Sequence, residues 1–218
     1  MNHVLEVDSV ELEFNSRKIL SDIYLKCETG KITGLLGRNG EGKTCLMNII
    51  TGSLEPQSKS IRFDSKMILN PLQKTELALY LPQFNFIPKF LTLKKIFSDF
   101  NINFNEFATN FPQFKENYLS RIDSLSGGEK RLVEVYIIIK SKTQFLILDE
   151  PFSHIMPLHI EVIKEILHKE KLTKGILITD HMHRHITQIS DYLYLLTNRK
   201  THLTKSAQDL VTLGYTRA

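Results

Sequence analysis

Gly37-Arg38-Asn39-Gly40-Glu41-Gly42-Lys43-Thr44 follows a short apolar run, Lys31–Leu36, and opens a pattern of helical period from Lys43 to about Ile50. The spacing is G-x-x-x-x-G-K-[ST], and a strand, a glycine-rich loop and a helix in that order are the context in which it binds phosphate. Its glycines let successive backbone N–H groups converge on phosphate oxygens, and the helix adds the positive end of its dipole. Lys43 is placed to reach the β- and γ-phosphates, and Thr44 to ligate Mg²⁺. A chance match somewhere in a chain of 218 residues is on the order of one per cent.

On the N-terminal side, apolar and polar residues alternate from Val4 to Phe14 and from Ile19 to Cys27. This predicts two half-buried antiparallel strands joined by a turn at Asn15-Ser16. On the C-terminal side, helical patterns at Gly128–Lys140 and Leu158–His168 alternate with buried strands at Phe145–Leu148 and Gly175–Thr179. Such alternation predicts βαβ units and a parallel sheet, hence an α/β fold. Tyr192–Leu196 and Lys200–Leu203 read as a hairpin turning at Asn198-Arg199, and Ser206 as the cap of a last short helix.

The length suits one domain, 1–218, with room for an inserted subdomain. Lys and Arg number 28 against 24 Asp and Glu, scattered along the chain instead of gathered in a run, so no nucleic acid is expected. Cys27 and Cys45 have no zinc spacing and are too few to staple a secreted fold. No basic leader opens the chain, and no stretch of ~18 apolar residues occurs. A cytoplasmic location is the expectation.

Two further stretches carry chemistry. Phe145-Leu146-Ile147-Leu148 delivers Asp149 and Glu150 at a strand's C-terminal end, where open α/β sheets bind ligands. Asp149 suits a place at or just behind Mg²⁺, and Glu150 the orientation and deprotonation of an attacking water. Leu125-Ser126-Gly127-Gly128-Glu129 sets a hydroxyl and two glycines before a helix, either a second anion site or a simple cap and loop.

Together these motifs resemble the ATP-binding cassette family, and specifically its nucleotide-binding domains, over nearly the whole chain. The resemblance implies the P-loop ATPase fold of that family, with an N-terminal antiparallel β-layer and a short helical subdomain inserted at 84–124, before the signature motif. It implies that ATP, with Mg²⁺, is held by Gly37, Asn39, Gly40, Gly42, Lys43, Thr44 and Cys45, and by Ser126, Gly127 and Gly128 of a facing cassette. Glu129 stands where the commonest signature has Gln. Phe14, 23 residues before Gly37, matches an aromatic that stacks on adenine, although a strand-end core residue is the other reading. Gln83 resembles the glutamine that senses Mg²⁺ and water, so Thr44, Gln83 and Asp149 are the metal candidates. His181 resembles the switch histidine that contacts the γ-phosphate, and with Glu150 and Gln83 completes the catalytic set.

Leu-Leu-Gly-Arg-Asn-Gly, Asp-Glu-Pro-Phe-Ser and Ile-Thr-Asp-His resemble the branch containing lipopolysaccharide-exporter and branched-chain amino acid ATPases. The implied function is an ATPase subunit that pairs as a homodimer or heterodimer and drives a separate membrane-spanning protein from the cytoplasmic face. The alternative is a nucleotide-gated binding subunit with low turnover. Its motive is Ser153-His154-Ile155-Met156, where the family's D-loop usually ends in Asp.

Other residues leave choices open. Nine of the 13 phenylalanines fall between Phe84 and Phe114, and those at 97, 100, 104, 107, 111 and 114 repeat at 3, 4, 3, 4, 3, the seam of an amphipathic helix that Pro112 interrupts. They suit the core of the insert, but nine such side chains exceed what so short a segment is expected to bury, so some are expected to form a partner's docking groove. His181, His183 and His185 admit a metal site, and the other reading takes His183 and His185 as surface residues. Cys45 lies at a helix start, which lowers a thiol's pKa, and reads as a redox-sensitive or an inert packed thiol.

Overall fold

The computed structural model describes residues 2–216. β1 (Val4–Phe14) and β2 (Arg17–Glu28) pair antiparallel through a turn whose two central residues, Asn15 and Ser16, both have φ near +50 to +60°. That handedness matches the right-handed twist of paired strands. β4 (Ser58–Phe63) and the two-residue β5 (Lys66–Met67), neither visible as strands in the sequence, extend this sheet in the order β2-β1-β4-β5.

The second sheet contains β3 (Ile32–Leu36), β6 (Ala78–Leu81), β7 (Phe145–Asp149), β8 (Gly175–Thr179), β9 (Tyr192–Thr197) and β10 (Lys200–Thr204), in the order β10-β9-β3-β8-β7-β6. β10 is the antiparallel edge, and every other pairing is parallel. β3, β7 and β8 are buried throughout, which is why they read as continuous apolar runs without alternation. The β9 to β10 turn uses positive φ at Asn198 and Arg199, as expected.

α1 (Lys43–Ile50) packs in the core between the two sheets, which also takes the inner faces of β1 and β2. α4 (Gly127–Lys140), α5 (Pro157–Glu170) and α6 (His183–Ile189) belong to a second core on the far side of the parallel sheet. A short α7 (Ala207–Thr212) follows β10, capped by Ser206 as read.

The phenylalanine-rich segment is not one helix. α2 (Leu93–Asp99) ends near Asn101, whose φ is +53°, and α3 (Phe104–Asn110) starts afresh on an Asn103 cap; Pro112–Asn117 then winds as 3-10 turns. The 3–4 spacing survives the breaks because each piece turns the same face inward. Phe97, Phe104, Phe107, Phe111 and Phe114 are buried; Phe97, Phe107 and Phe111 meet Tyr136 of α4, with ring centroids 4.9 Å apart for Phe107 and Tyr136, and Phe104 and Phe114 pack on Phe107. Phe86 and Phe100 are partly buried. The density is therefore mainly a core, and only Phe84 and Phe90 remain exposed, at 71% and 68%.

Candidate active site

Four parallel strands end on one edge of the sheet, and each delivers a candidate residue there: β3 the phosphate loop, β6 Gln83, β7 Asp149 and Glu150, β8 His181. A cleft of about 500 Å³ at this edge is lined by Phe14, Ile19, Asn39, Gly40, Gly42, Lys43, Thr44, Cys45, Gln83 and Glu150. Nine of these ten were read from the sequence. Ile19 was not, because nothing in a strand's alternation says that its residue will lie beside a loop beginning at Gly37.

The loop's conformation accounts for its glycines. Gly42 caps α1 with φ +100°, and Gly40 has φ +85°, a region costly for any residue with a Cβ. Gly37 lies outside the cleft, and its role is packing: a Cβ there would stand 2.8 Å from the Leu196 carbonyl oxygen. Lys43 Nζ donates to the carbonyls of Gly37 (2.7 Å) and Arg38 (3.1 Å), closing the loop around an ammonium that burial pulls below the usual lysine range. Arg38 turns away from the cleft and donates from Nη2 to the Gly214 carbonyl at 2.7 Å, so the residues after α7 brace the loop from behind.

At the heart of the cleft the Gln83 amide, Nε2, donates to Thr44 Oγ1 (3.1 Å), Asp149 Oδ1 (3.4 Å) and Glu150 Oε1 (2.9 Å). Asp149 is fully buried and also accepts from the Tyr80 hydroxyl at 3.3 Å. Burial, reinforced by the adjacent Glu150, raises its carboxyl above the usual range, against hydrogen bonds from Thr44, Tyr80 and Gln83. A hydroxyl and two carboxylates in one corner are oxygen donors of the kind a hard divalent cation takes alongside substrate phosphates. Tyr80 is a site residue the sequence hid, since a tyrosine in an apolar strand reads as core.

Glu150 has φ +50°, a left-handed backbone that costs a non-glycine residue about 1–3 kcal/mol unless its surroundings hold it. Its Oε2 accepts from Ser153 Oγ at 3.2 Å and lies 3.5 Å from His181 Nδ1. Asp180, buried beneath, accepts from the N–H groups of Phe152 and Met182, both at 2.9 Å, and so ties the loop after Glu150 to the loop carrying His181. His181 itself is half exposed.

Ser126, Gly127 and Gly128 are not in this cleft. Ser126 caps α4 in a reciprocal box: its Oγ accepts from the Glu129 N–H at 3.3 Å, and Glu129 Oε2 accepts from the Ser126 N–H at 2.8 Å and its hydroxyl at 2.7 Å. Those bonds from Ser126 hold the Glu129 carboxyl below the usual range. Gly127 faces open space, whereas a Cβ on Gly128 would collide with the His154 carbonyl. Ser126, Gly128, Glu129, His154 and Met156 share a separate cavity of about 490 Å³ with Gln113 and His159.

Two expectations change. α6 begins at His183, so His181 and His185 do not share a helix face, and among the described residues no three His, Cys, Asp or Glu side chains stand together as a metal group. His183 instead meets the Tyr215 ring edge-on, and His185 packs on Phe152. Burial also pushes the Cys45 thiol up, overriding the helix start that was expected to lower it.

The family model described as "ABC transporter" matches residues 20–153. The chain is 30% identical over 199 residues to the lipopolysaccharide export system ATP-binding protein LptB of Escherichia coli K12, covering 84% of this chain and 83% of that one. It is 25% identical over 225 residues to the high-affinity branched-chain amino acid transport ATP-binding protein BraG of Pseudomonas aeruginosa, covering 96% and 95%. In fold it matches an ATP-binding subunit of an ABC transporter with TM-score 0.82 at 21% identity, covering 99% of this chain and 95% of that one. It also matches a bacterial Atm1-family ABC exporter with ATP bound, with TM-score 0.83 at 17% identity, covering 97% and 40%. With the matched segment, the strand-end cleft and the fold in agreement, this chain belongs to the ABC transporter family as one of its ATP-binding, ATP-hydrolysing members.

Proposed function

We propose that the chain, a single domain over 1–218 with its helical insert at 84–124, is the subunit that energises a separate membrane-spanning transporter from the cytoplasmic side of the membrane, working as a pair of cassettes. Among the described residues no helix is long and apolar enough to cross a membrane. The observation that carries the proposal is Gln83, whose amide touches Thr44, Asp149 and Glu150 while the residues after it lead straight to the exposed Phe84 and Phe90. A partner seated on Phe84 is one residue from Gln83, and Phe90 lies seven residues from it. Replacing both by serine is expected to lower transport at least tenfold while the isolated chain keeps its fold and its ATPase within about twofold, since each ring seated in an interface contributes roughly 1.5–3 kcal/mol. Coupled transport unchanged in the double variant would refute the docking role.

In this reading ATP lies across the cleft with its adenine on Phe14 and its phosphates under the 37–42 loop, beside Lys43. Thr44 and Asp149, with Gln83 beside them, would hold Mg²⁺, which would supply neutralisation of the phosphate charge. Glu150 accepts the proton of the attacking water, held in place by Gln83, Ser153 and the His181 ring. Ser126, Gly127 and Gly128 face the phosphates bound by the second cassette, so the Ser126 hydroxyl must leave Glu129 to donate to them. The wording of the motifs and the relatives in lipopolysaccharide export and branched-chain amino acid transport favour a substrate of one of those two kinds.

The second reading, nucleotide-gated binding with slow turnover, rests on Met156, which is 64% exposed beside Ser126 and His154. A thioether is a weak acceptor without charge, so it reproduces no carboxylate contact made at that position. Met156→Asp is expected to raise basal ATPase several-fold, read as steady-state phosphate release with and without the membrane partner. Unchanged activity in a folded, pairing variant would remove the argument for slow turnover.

A further inference from the structure

The left-handed backbone at Glu150 persists because it is held from three sides. Its N–H donates to the Thr179 carbonyl at 2.8 Å, and Arg131 Nη2 donates to the carbonyls of Asp149 and Glu150, both at 2.9 Å. The other nitrogen, Nη1, donates to the Pro82 carbonyl at 2.7 Å, immediately before Gln83. Thus one guanidinium grips the backbone of both side chains that meet over the cleft, the Glu150 carboxylate and the Gln83 amide.

Arg131 is 2% exposed, and its placement is fixed by Glu134 one turn along α4, which is wholly buried. Glu134 Oε2 lies 3.8 Å from Arg131 Nη1, and its Oε1 accepts the N–H groups of Phe86 (2.9 Å) and Ile87 (3.2 Å). Hydrophobic residues of similar volume often stabilise such a location as well as a buried ion pair does. What the pair contributes here is therefore best sought in geometry. Both residues stand on the helix that begins at Ser126, so the same rigid rod carries the cap of one cavity and the frame of the other.

We infer that Arg131, locked by Glu134, is a positioning residue for ATP hydrolysis: it holds the Glu150 backbone in its left-handed turn and Gln83 opposite, so that carboxylate and amide share one frame. The inference rests on the reading of Glu150 as the base. A planar fork meets three carbonyls in two directions at once, whereas a lysine ammonium is a single point on a flexible stem. Arg131→Lys keeps the charge and loses that geometry.

The test is kcat and the dissociation constant for ATP in Arg131→Lys, Glu150→Gln and the double variant, all in the full-length chain. Arg131→Lys is expected to lower kcat about 10- to 100-fold, the scale of a displacement near 1 Å at a reacting group, with ATP affinity changed less than about threefold. In the Glu150→Gln background the same change is expected to add little, because no base is left to misplace. Full kcat in Arg131→Lys, a loss confined to ATP affinity, or an equal fractional loss in both backgrounds would overturn the inference. Normal turnover in Glu150→Gln alone would instead overturn the base assignment, and the inference with it. If Arg131→Lys does not fold, Glu134→Gln carries the test: it keeps an acceptor for Phe86 and Ile87, and a several-fold lower kcat at unchanged affinity is expected, with unchanged kcat the overturning result.

Discussion

Lys43→Ala is expected to weaken ATP binding by about 30- to 4,000-fold, which corresponds to roughly 2–5 kcal/mol for truncating one member of a desolvated charge pair. Lys43 is 6% exposed and its ammonium now closes the loop through the Gly37 and Arg38 carbonyls. A nucleotide's phosphates offer a stronger, charge-assisted partner at the same place. Without the side chain the loop loses both its internal tie and its only buried cation facing the cleft among the described residues. Calorimetric titration with a non-hydrolysable ATP analogue measures the effect, alongside a thermal melt to show that the variant is folded. An unchanged dissociation constant in a folded Lys43→Ala would mean that phosphate is held elsewhere.

Glu150→Gln is expected to bind ATP as the parent does and to hydrolyse it about 10²–10⁴-fold more slowly, the range a positioned general base contributes. The change is nearly isosteric. The new amide oxygen still accepts from Gln83 Nε2, and its nitrogen faces Ser153 Oγ, which can accept in place of donating. Only the capacity to take a proton is lost. Single-turnover hydrolysis by a saturated complex reads the step directly, and a bound nucleotide that accumulates as intact ATP is the expected species. Parent-like rates would require another group to accept the proton, with His181, 3.5 Å from the Glu150 carboxylate, the neighbour to examine next.

The parts of this site legible in the sequence are those written locally. A phosphate loop is a contiguous spacing, and the burial of β3, β7 and β8 on both faces shows as short apolar runs with a candidate side chain at or just beyond each C-terminal end. A parallel sheet brings those ends to one edge whatever lies between them, so Gln83, Asp149, Glu150 and His181 are legible although distant in the chain. Arg131, Tyr80 and Ile19 are not, because each acts through tertiary placement: an arginine in a helix reads as solvated, and only the fold turns it onto the Pro82, Asp149 and Glu150 carbonyls. The brace from Gly214 to Arg38 was hidden for the same reason, as a backbone carbonyl has no sequence signature. In the insert, periodicity identified the inward face and Pro112 marked one break, but the break at Asn101 was not legible, since it depends on a left-handed residue that period counting does not see.

The phenylalanine core has a consequence for how the molecule comes apart. Phe97, Phe107 and Phe111 rest on Tyr136, and the same continuous cluster passes through Leu132 and Val133 to Leu146 and Ile176 in the parallel sheet. Opening the insert alone would strip the apolar cover from α4 and leave Tyr136 facing water. Segments that share one core in this way open together and not in sequence. The insert is accordingly expected to open with the sheet, its backbone amides around Phe107 exchanging as slowly as those of β7 in a native-state hydrogen-exchange measurement.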